Sequence, residues 1–248
     1  MPTDSIFYVN KGHSFMFNML GEVSDELLHG WEVTVVGEQK EGRVFCKTDY
    51  GYAGYVNVCD ITRGTYRPTH RVKSHFCDIL PQPGYIHLPS DTLPKGAFLE
   101  VIEKGEKFCT VKYNGTEAFV PCAHLEPLVP QKRAKPSKII RCAKEYMGVP
   151  YRWGGKTPLG IDCSGLCFMA YYLNGIKIYR DARFPFYSDY EIKKEELRPA
   201  DLVFFKGHVA MYIGNGKIIH SNSADGMVTV SELNYKDVLA CASLYELF

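Results

Sequence analysis

The sequence predicts an α+β protein in which two small β-modules precede a domain of helices followed by an antiparallel sheet. Three observations carry that expectation. The 17 Tyr and 14 Phe, together with 22 Gly and 14 Pro, favour short strands and turns over helical bundles. A strand pattern occurs twice in the first half of the chain. Beyond a basic stretch bracketed by prolines, the apolar spacing becomes helical and then returns to alternation.

The first module reads as Gly30-Trp-Glu-Val-Thr-Val-Val, Phe45-Cys-Lys and Gly54-Tyr-Val; the second reads as Gly96-Ala-Phe-Leu-Glu-Val-Ile, Phe108-Cys-Thr and Ala118-Phe-Val. In each, a β-branched run, a charged turn, a second run and a tight turn recur over roughly 60 residues, the size of a small closed barrel. The modules are expected over 1–66 and 67–128. The run Val129-Pro-Gln-Lys-Arg-Ala-Lys-Pro reads as a linker over 129–136, which leaves 137–248 as the last domain. There Ile139, Ile140, Ala143 and Met147 fall on one face of a helix begun by Pro136-Ser137 and ended by Gly148. A second helix is expected from about Cys163 to Leu173, with Leu166, Met169, Ala170 and Leu173 inward and Asn174-Gly175 as its stop. Strands follow at Leu202–Phe205, Val209–Ile213, Lys217–His220 and Met227–Val230.

Lys and Arg number 29 against 28 Asp and Glu, a net charge of +1, so no bulk charge draws the chain to nucleic acid or an anionic membrane. No run approaches the ~20 apolar residues of a membrane helix. The start has no basic region followed by an apolar one, so no signal peptide is expected, although a trimmed chain leaves a periplasmic or secreted setting open. The 9 Cys form no C-x-x-C pair and sit mostly in apolar stretches, which suits free buried thiols, a reducing compartment and a cytoplasmic setting. Nothing has zinc-ligand spacing, so neither metal nor cofactor is expected.

The chemistry concentrates in Tyr151-Arg-Trp-Gly-Gly-Lys-Thr-Pro-Leu-Gly-Ile-Asp-Cys-Ser-Gly-Leu166. Glycine-rich sequence there enters a helix whose first residue is Cys163. A thiol at a helix N-terminus meets unpaired N–H groups and the positive end of the dipole, which favours thiolate and offers donors for an oxyanion. A buried, inert cysteine fits the same position, as it does for Cys142 and Cys167. A nucleophilic thiol needs a base, and His208 begins one strand while His220 ends the next. With a two-residue Asn215-Gly216 loop, paired numbers sum to 431 and the histidines point to opposite faces; with a three-residue loop the sum is 430 and they share a face. The apolar alternation of Val209, Met211 and Ile213 favours the second register.

The pieces PYRWGG, GIDCSGL, DLVFF, GHVAMYIGNG and KIIHSNS, in this order over residues 137–248, closely resemble the NlpC-type cysteine peptidases of bacterial cell-wall peptides. The resemblance implies a papain-like fold. It makes the upstream modules similar to the SH3-like β-barrels that precede this domain in the subgroup cleaving free murein peptides. By position it makes Cys163 the nucleophile, His208 the general base and His220 the residue that orients His208. Tyr151 resembles the family tyrosine beside the nucleophile, while Asp162 and Ser164 match the flanking groups that shape the cleft; Asp162 equally suits a helix cap. Asp181, 18 residues beyond Cys163, stands where the subgroup holds the substrate's amino end, with an exposed Arg180/Asp181 loop pair as the alternative. Glu26 and Tyr52 are the candidates for the acidic side chain and tyrosine lent by the first barrel. Three departures stand out: Ala182 replaces a frequent hydroxyl residue, only Lys206-Gly207 separates Phe205 from His208 where many relatives have a longer loop, and Pro199-Ala200-Asp201-Leu202 replaces a Pro-Gly-Asp-Leu turn.

The implied reaction is hydrolysis of the amide between γ-D-glutamate and a diamino acid in murein peptides with a free N-terminal L-alanine, by a monomer with no nucleic-acid partner. Two other enzymes share the Cys/His/His set: a hydrolase of intact peptidoglycan stems and an acyltransferase or amidase. A wall-binding protein with a relic catalytic domain is a non-enzymatic alternative, opposed by the intact Cys163, His208 and His220.

Overall fold

Alternation of apolar and polar residues turns most of the chain into strands: Val44, Cys46 and Thr48 are buried along Arg43–Thr48, and Cys109, Val111 and Tyr113 along Phe108–Tyr113. The structure, a computed structural model, describes residues 4–128 and 134–247 and divides into two compact units, Met1–Val129 and Pro130–Phe248. It is rich in β-structure, with two α-helices among the described residues. Of the expected linker, residues 129–133 lie outside the described residues.

The amino-terminal unit begins with β1 (Ile6–Val9), β2 (His13–Phe17), β3 (Val23–Leu28), β4 (Glu32–Lys40), β5 (Arg43–Thr48), β6 (Ala53–Asn57) and β7 (Ile61–Arg63). These form one sheet in the order β3-β2-β6-β5-β4-β1-β7. It continues with β8 (His70–Val72), β9 (Phe76–Ile79), β10 (Asp91–Pro94), β11 (Phe98–Lys104), β12 (Phe108–Tyr113), β13 (Thr116–Pro121) and β14 (Leu125–Pro127). Five of these make the sheet β13-β12-β11-β8-β14, beside the pair β10-β9. Among the described residues the end strands of neither sheet pair with each other, so the closed barrels expected from the sequence are not formed. Cys109 and Cys122 are joined as a disulfide, which corrects the expectation that all the thiols are free. Seven cysteines remain free, and of these Cys59 alone is exposed.

The second unit opens with α1 (Pro136–Lys144), whose inner residues are Ile139, Cys142 and Ala143. The helix stops short of the expected Gly148, and Met147, predicted inward, is 47% exposed while Tyr146 is buried in its place. The short pair β15 (Lys156–Thr157) and β16 (Gly160–Ile161) leads into α2 (Cys163–Tyr172), which is buried from Cys163 through Tyr171 and therefore lacks a polar face. Then come β17 (Glu191–Ile192), β18 (Leu202–Phe205), β19 (His208–Gly214), β20 (Lys217–Asn222), β21 (Met227–Glu232) and β22 (Ala240–Ala242), paired antiparallel in the order β17-β22-β18-β19-β20-β21.

Candidate active site

The N-terminus of α2 is fixed by Asp162. Its Oδ1 accepts the N–H of Gly165 at 2.6 Å and the hydroxyl of Ser164 at 3.1 Å, and its Oδ2 accepts the N–H of Gly154 at 2.8 Å. The carboxylate is thus an N-cap that also pins the glycine-rich loop. A side chain at Gly165 would put its Cβ 2.2 Å from the Gly155 carbonyl oxygen, so the close approach of loop and helix requires glycine there. Behind the cap lies Arg180, only 1% exposed. Its guanidinium donates to both Asp162 oxygens at 3.0 and 3.1 Å, to Ser164 Oγ at 2.8 Å and to the Gly155 carbonyl at 3.3 Å. The exposed Arg180/Asp181 pair considered from sequence is corrected accordingly: Arg180 is a buried strut for the cap.

The histidines arrive on two hairpins. Gly207, at φ +68°, completes the Lys206-Gly207 turn, and Phe205 pairs with His208, so His208 stands at the very start of β19. Between β19 and β20 the turn is Asn215-Gly216, both residues at positive φ, and Gly214 pairs with Lys217. An irregularity between Tyr212 and Gly214 then restores Tyr212↔Ile218 and Met211↔Ile219, the pairing expected of the longer loop. A two-residue turn plus a bulge therefore gives the register that puts both histidines on one face. His208 Nε2 and His220 Nδ1 lie 2.9 Å apart, and His220 Nε2 is 3.1 Å from Ser231 Oγ on β21.

The thiol of Cys163 is buried and receives backbone N–H donors from Ser164 and from Val209, the residue after His208. These donors and Arg180 favour the thiolate, yet desolvation and the neighbouring Asp162 charge outweigh them and push the thiol up to about 11. The depressed value expected of a helix N-terminus is corrected by burial. Burial likewise lowers His208 to about 4, helped by its neighbour His220, and it lowers His220 as well. Tyr151 is pushed up to about 12 by desolvation and by the charges of Cys163 and Asp162, which places its half-buried phenol in the electrostatic field of the thiol.

The structure thus gathers Cys163, Asp162, Ser164, Tyr151, His208 and His220 in one unit. Asp181, in the same unit, is partly buried, with Arg183 Nε 4.0 Å away. Glu26 and Tyr52 belong to the amino-terminal unit. There Glu26 is fully buried on β3 with His13 Nδ1 at 2.8 Å, and the Tyr52 hydroxyl donates to the Ser24 carbonyl at 3.4 Å. Sequence reasoning missed Arg180 and Ser231. No local pattern marks either one, although the pairing of β20 with β21 places Ser231 beside the histidine strand. No group of three or more His, Cys, Asp or Glu suited to a metal ion occurs among the described residues.

Residues 148–241 match the model of the NlpC/P60 family. The chain is 33% identical to dipeptidyl-peptidase 6 of Lysinibacillus sphaericus over 233 residues, which are 86% of this chain and 85% of that protein. The chain belongs to the NlpC/P60 family. This NlpC/P60 chain is also 40% identical over 104 residues to a γ-D-glutamyl-L-lysine dipeptidyl-peptidase of Bacillus cereus, covering 39% of this chain and 31% of that protein. Its fold matches that of an NlpC/P60 family protein from Bacillus cereus with a TM-score of 0.84 and 22% identity, over 96% of this chain and 99% of that one. Family and relatives make it a peptidase.

Proposed function

We propose that this NlpC/P60 peptidase hydrolyses the amide between γ-D-glutamate and the diamino acid of murein peptides that carry a free N-terminal L-alanine. A dipeptidyl-peptidase 6 and a γ-D-glutamyl-L-lysine dipeptidyl-peptidase stand among its relatives. The observation that carries the chemistry is the hydrogen-bonded pair His208–His220, whose first member adjoins the N–H donor to the Cys163 thiol.

The direction of that hydrogen bond decides whether His208 is a base. When His208 Nε2–H donates to His220 Nδ1, and His220 Nε2–H donates to Ser231 Oγ, His208 keeps the lone pair on Nδ1. Reversal of both bonds puts the proton on Nδ1 and leaves no base. In the first arrangement His208 Nδ1 takes the thiol proton as sulfur bonds to the scissile carbon, and the helix N-terminal amides stabilise the oxyanion. The imidazolium then passes its proton to the leaving amine as the C–N bond breaks, which leaves a thioester. Water attacks the thioester, His208 takes its proton, the C–S bond breaks, and the proton returns to sulfur.

In this reading Tyr151 donates to the thiolate or oxyanion, Asp162 and Ser164 shape the cleft by holding the start of α2, and Asp181 recognises the substrate's amino end. The modules over 1–66 and 67–128 are SH3-like in size and strand content, and 137–248 is papain-like. The protein acts as a monomer without nucleic acid, and a cytoplasmic setting suits its six buried free thiols, while the Cys109–Cys122 disulfide suits an oxidising one. The test is incubation with L-Ala-γ-D-Glu-diamino-acid peptides and their N-acetylated forms, with products read by mass spectrometry. Release of L-Ala-γ-D-Glu from the free-amine peptide, at least tenfold faster than from the acetylated one and abolished in Cys163→Ala, is expected. Equal rates on the two forms would favour a hydrolase of intact peptidoglycan stems.

A further inference from the structure

The amino-terminal unit contains a cavity of about 520 Å³, within the range of small-molecule sites. Tyr8 and Tyr66 form an aromatic wall, their ring centroids 5.5 Å apart. His29 also lines the cavity. It is 2% exposed and held in a fixed place, stacked on Tyr113 at 4.8 Å and edge-on to Tyr66 at 5.9 Å.

Burial lowers His29 to about 4, so the ring is neutral near pH 7. Its Nδ1 lies 3.3 Å from the Phe98 carbonyl, which can only accept, so the single ring proton sits on Nδ1. Nε2 is left as a bare acceptor, buried and without a hydrogen-bond partner among the described residues. Asn10, on the same wall, repeats the pattern. Its backbone carbonyl accepts from the Asn114 side chain at 2.8 Å, while its Oδ1 is buried and unpartnered. Lys11, Arg63 and Lys112 also line the cavity, and none is in an ion pair among the described residues.

We propose that this cavity binds a compact organic carboxylate, its body against the Tyr8–Tyr66 wall and its carboxylate facing Lys11, Arg63 and Lys112. Sugar acids and small acidic peptides both carry this chemistry. The test uses the full chain in isothermal titration with N-acetylmuramic acid, with L-Ala-γ-D-Glu, and with uncharged N-acetylglucosamine. Arg63 is exposed and Lys112 half-buried, so Arg63→Ala and Lys112→Ala serve as rim variants, with thermal unfolding to verify the fold. At least one carboxylate probe is expected to bind, tenfold or more tightly than N-acetylglucosamine, and to lose at least fivefold in affinity in each rim variant. The arm that binds identifies the source, sugar acid or peptide. Binding of neither carboxylate, equal binding of the uncharged sugar, or affinity unmoved by both substitutions would overturn the proposal.

Discussion

With the thiol of Cys163 pushed up to about 11 and the imidazole of His208 held near 4, the resting pair at neutral pH is thiol and neutral imidazole. The thiolate forms when substrate is attacked. Iodoacetamide at pH 7 should therefore modify the exposed Cys59 before Cys163, as peptide mapping would read; preferential labelling of Cys163 would establish a resting ion pair instead. Arg180 gives a second expectation at this scale. Truncation to Met strands the Asp162 carboxylate next to a thiol in a buried site, and breaking a buried pair of this kind costs about 3–5 kcal/mol. Urea unfolding should show a loss of that order, and Arg180→Lys should recover little of it, because an ammonium cannot span both carboxylate oxygens, Ser164 and Gly155 together. For Ser231, which steadies His220, Ser231→Ala should lower kcat several-fold with KM unchanged; a change in KM alone would speak against the positioning role.

Cys163 begins α2 and His208 begins β19, and such element ends obey local rules that sequence shows, whereas His220 lies inside β20. Asp162 and Cys163 were legible because helix caps and first-turn positions obey local rules. The register of β19 against β20 was legible from apolar alternation. Its mechanism was not, because a bulge is invisible to a rule that counts loop residues. The turn before β18 shows the cost of departing from a local rule. Ala200 has φ +82°, a conformation that glycine adopts freely and alanine does not, while its N–H is held by the Tyr212 carbonyl at 2.7 Å and its carbonyl by the Tyr171 hydroxyl at 2.5 Å. Those contacts leave the backbone no room to relax. Ala200→Gly should stabilise the fold by up to about 1 kcal/mol, strain relief exceeding the entropy lost by glycine, as urea unfolding would measure. Destabilisation would mean that packing of the buried methyl group outweighs the strain.

Across the whole chain, what sequence could not reveal is burial at a distance: Arg180 beneath the cap, the Cys109–Cys122 bond, and His29 enclosed by Tyr66 and Tyr113. Burial of histidines in both units has a thermodynamic consequence. His29 and His208 are both lowered to about 4 by desolvation, whereas an unfolded histidine titrates near 6.5. Above pH 6.5 both are neutral in either state and their contribution to stability is fully present. As pH falls from 6.5 toward 4 the unfolded chain takes up protons that the native chain refuses, so stability is lost, and below about 4 the loss is complete. For the enclosed His29 alone this amounts to roughly 3 kcal/mol. Unfolding free energies measured between pH 7 and 4 should fall steeply in the wild type and less steeply in His29→Phe and in His208→Asn; equal slopes in all three proteins would refute the neutral buried histidines. The site feels the same asymmetry. His208 remains a competent base down to about pH 4, so the acid limb of kcat/KM should follow the loss of folded protein seen by circular dichroism. An acid limb near pH 6.5 in fully folded protein would show instead that His208 titrates as an exposed histidine does.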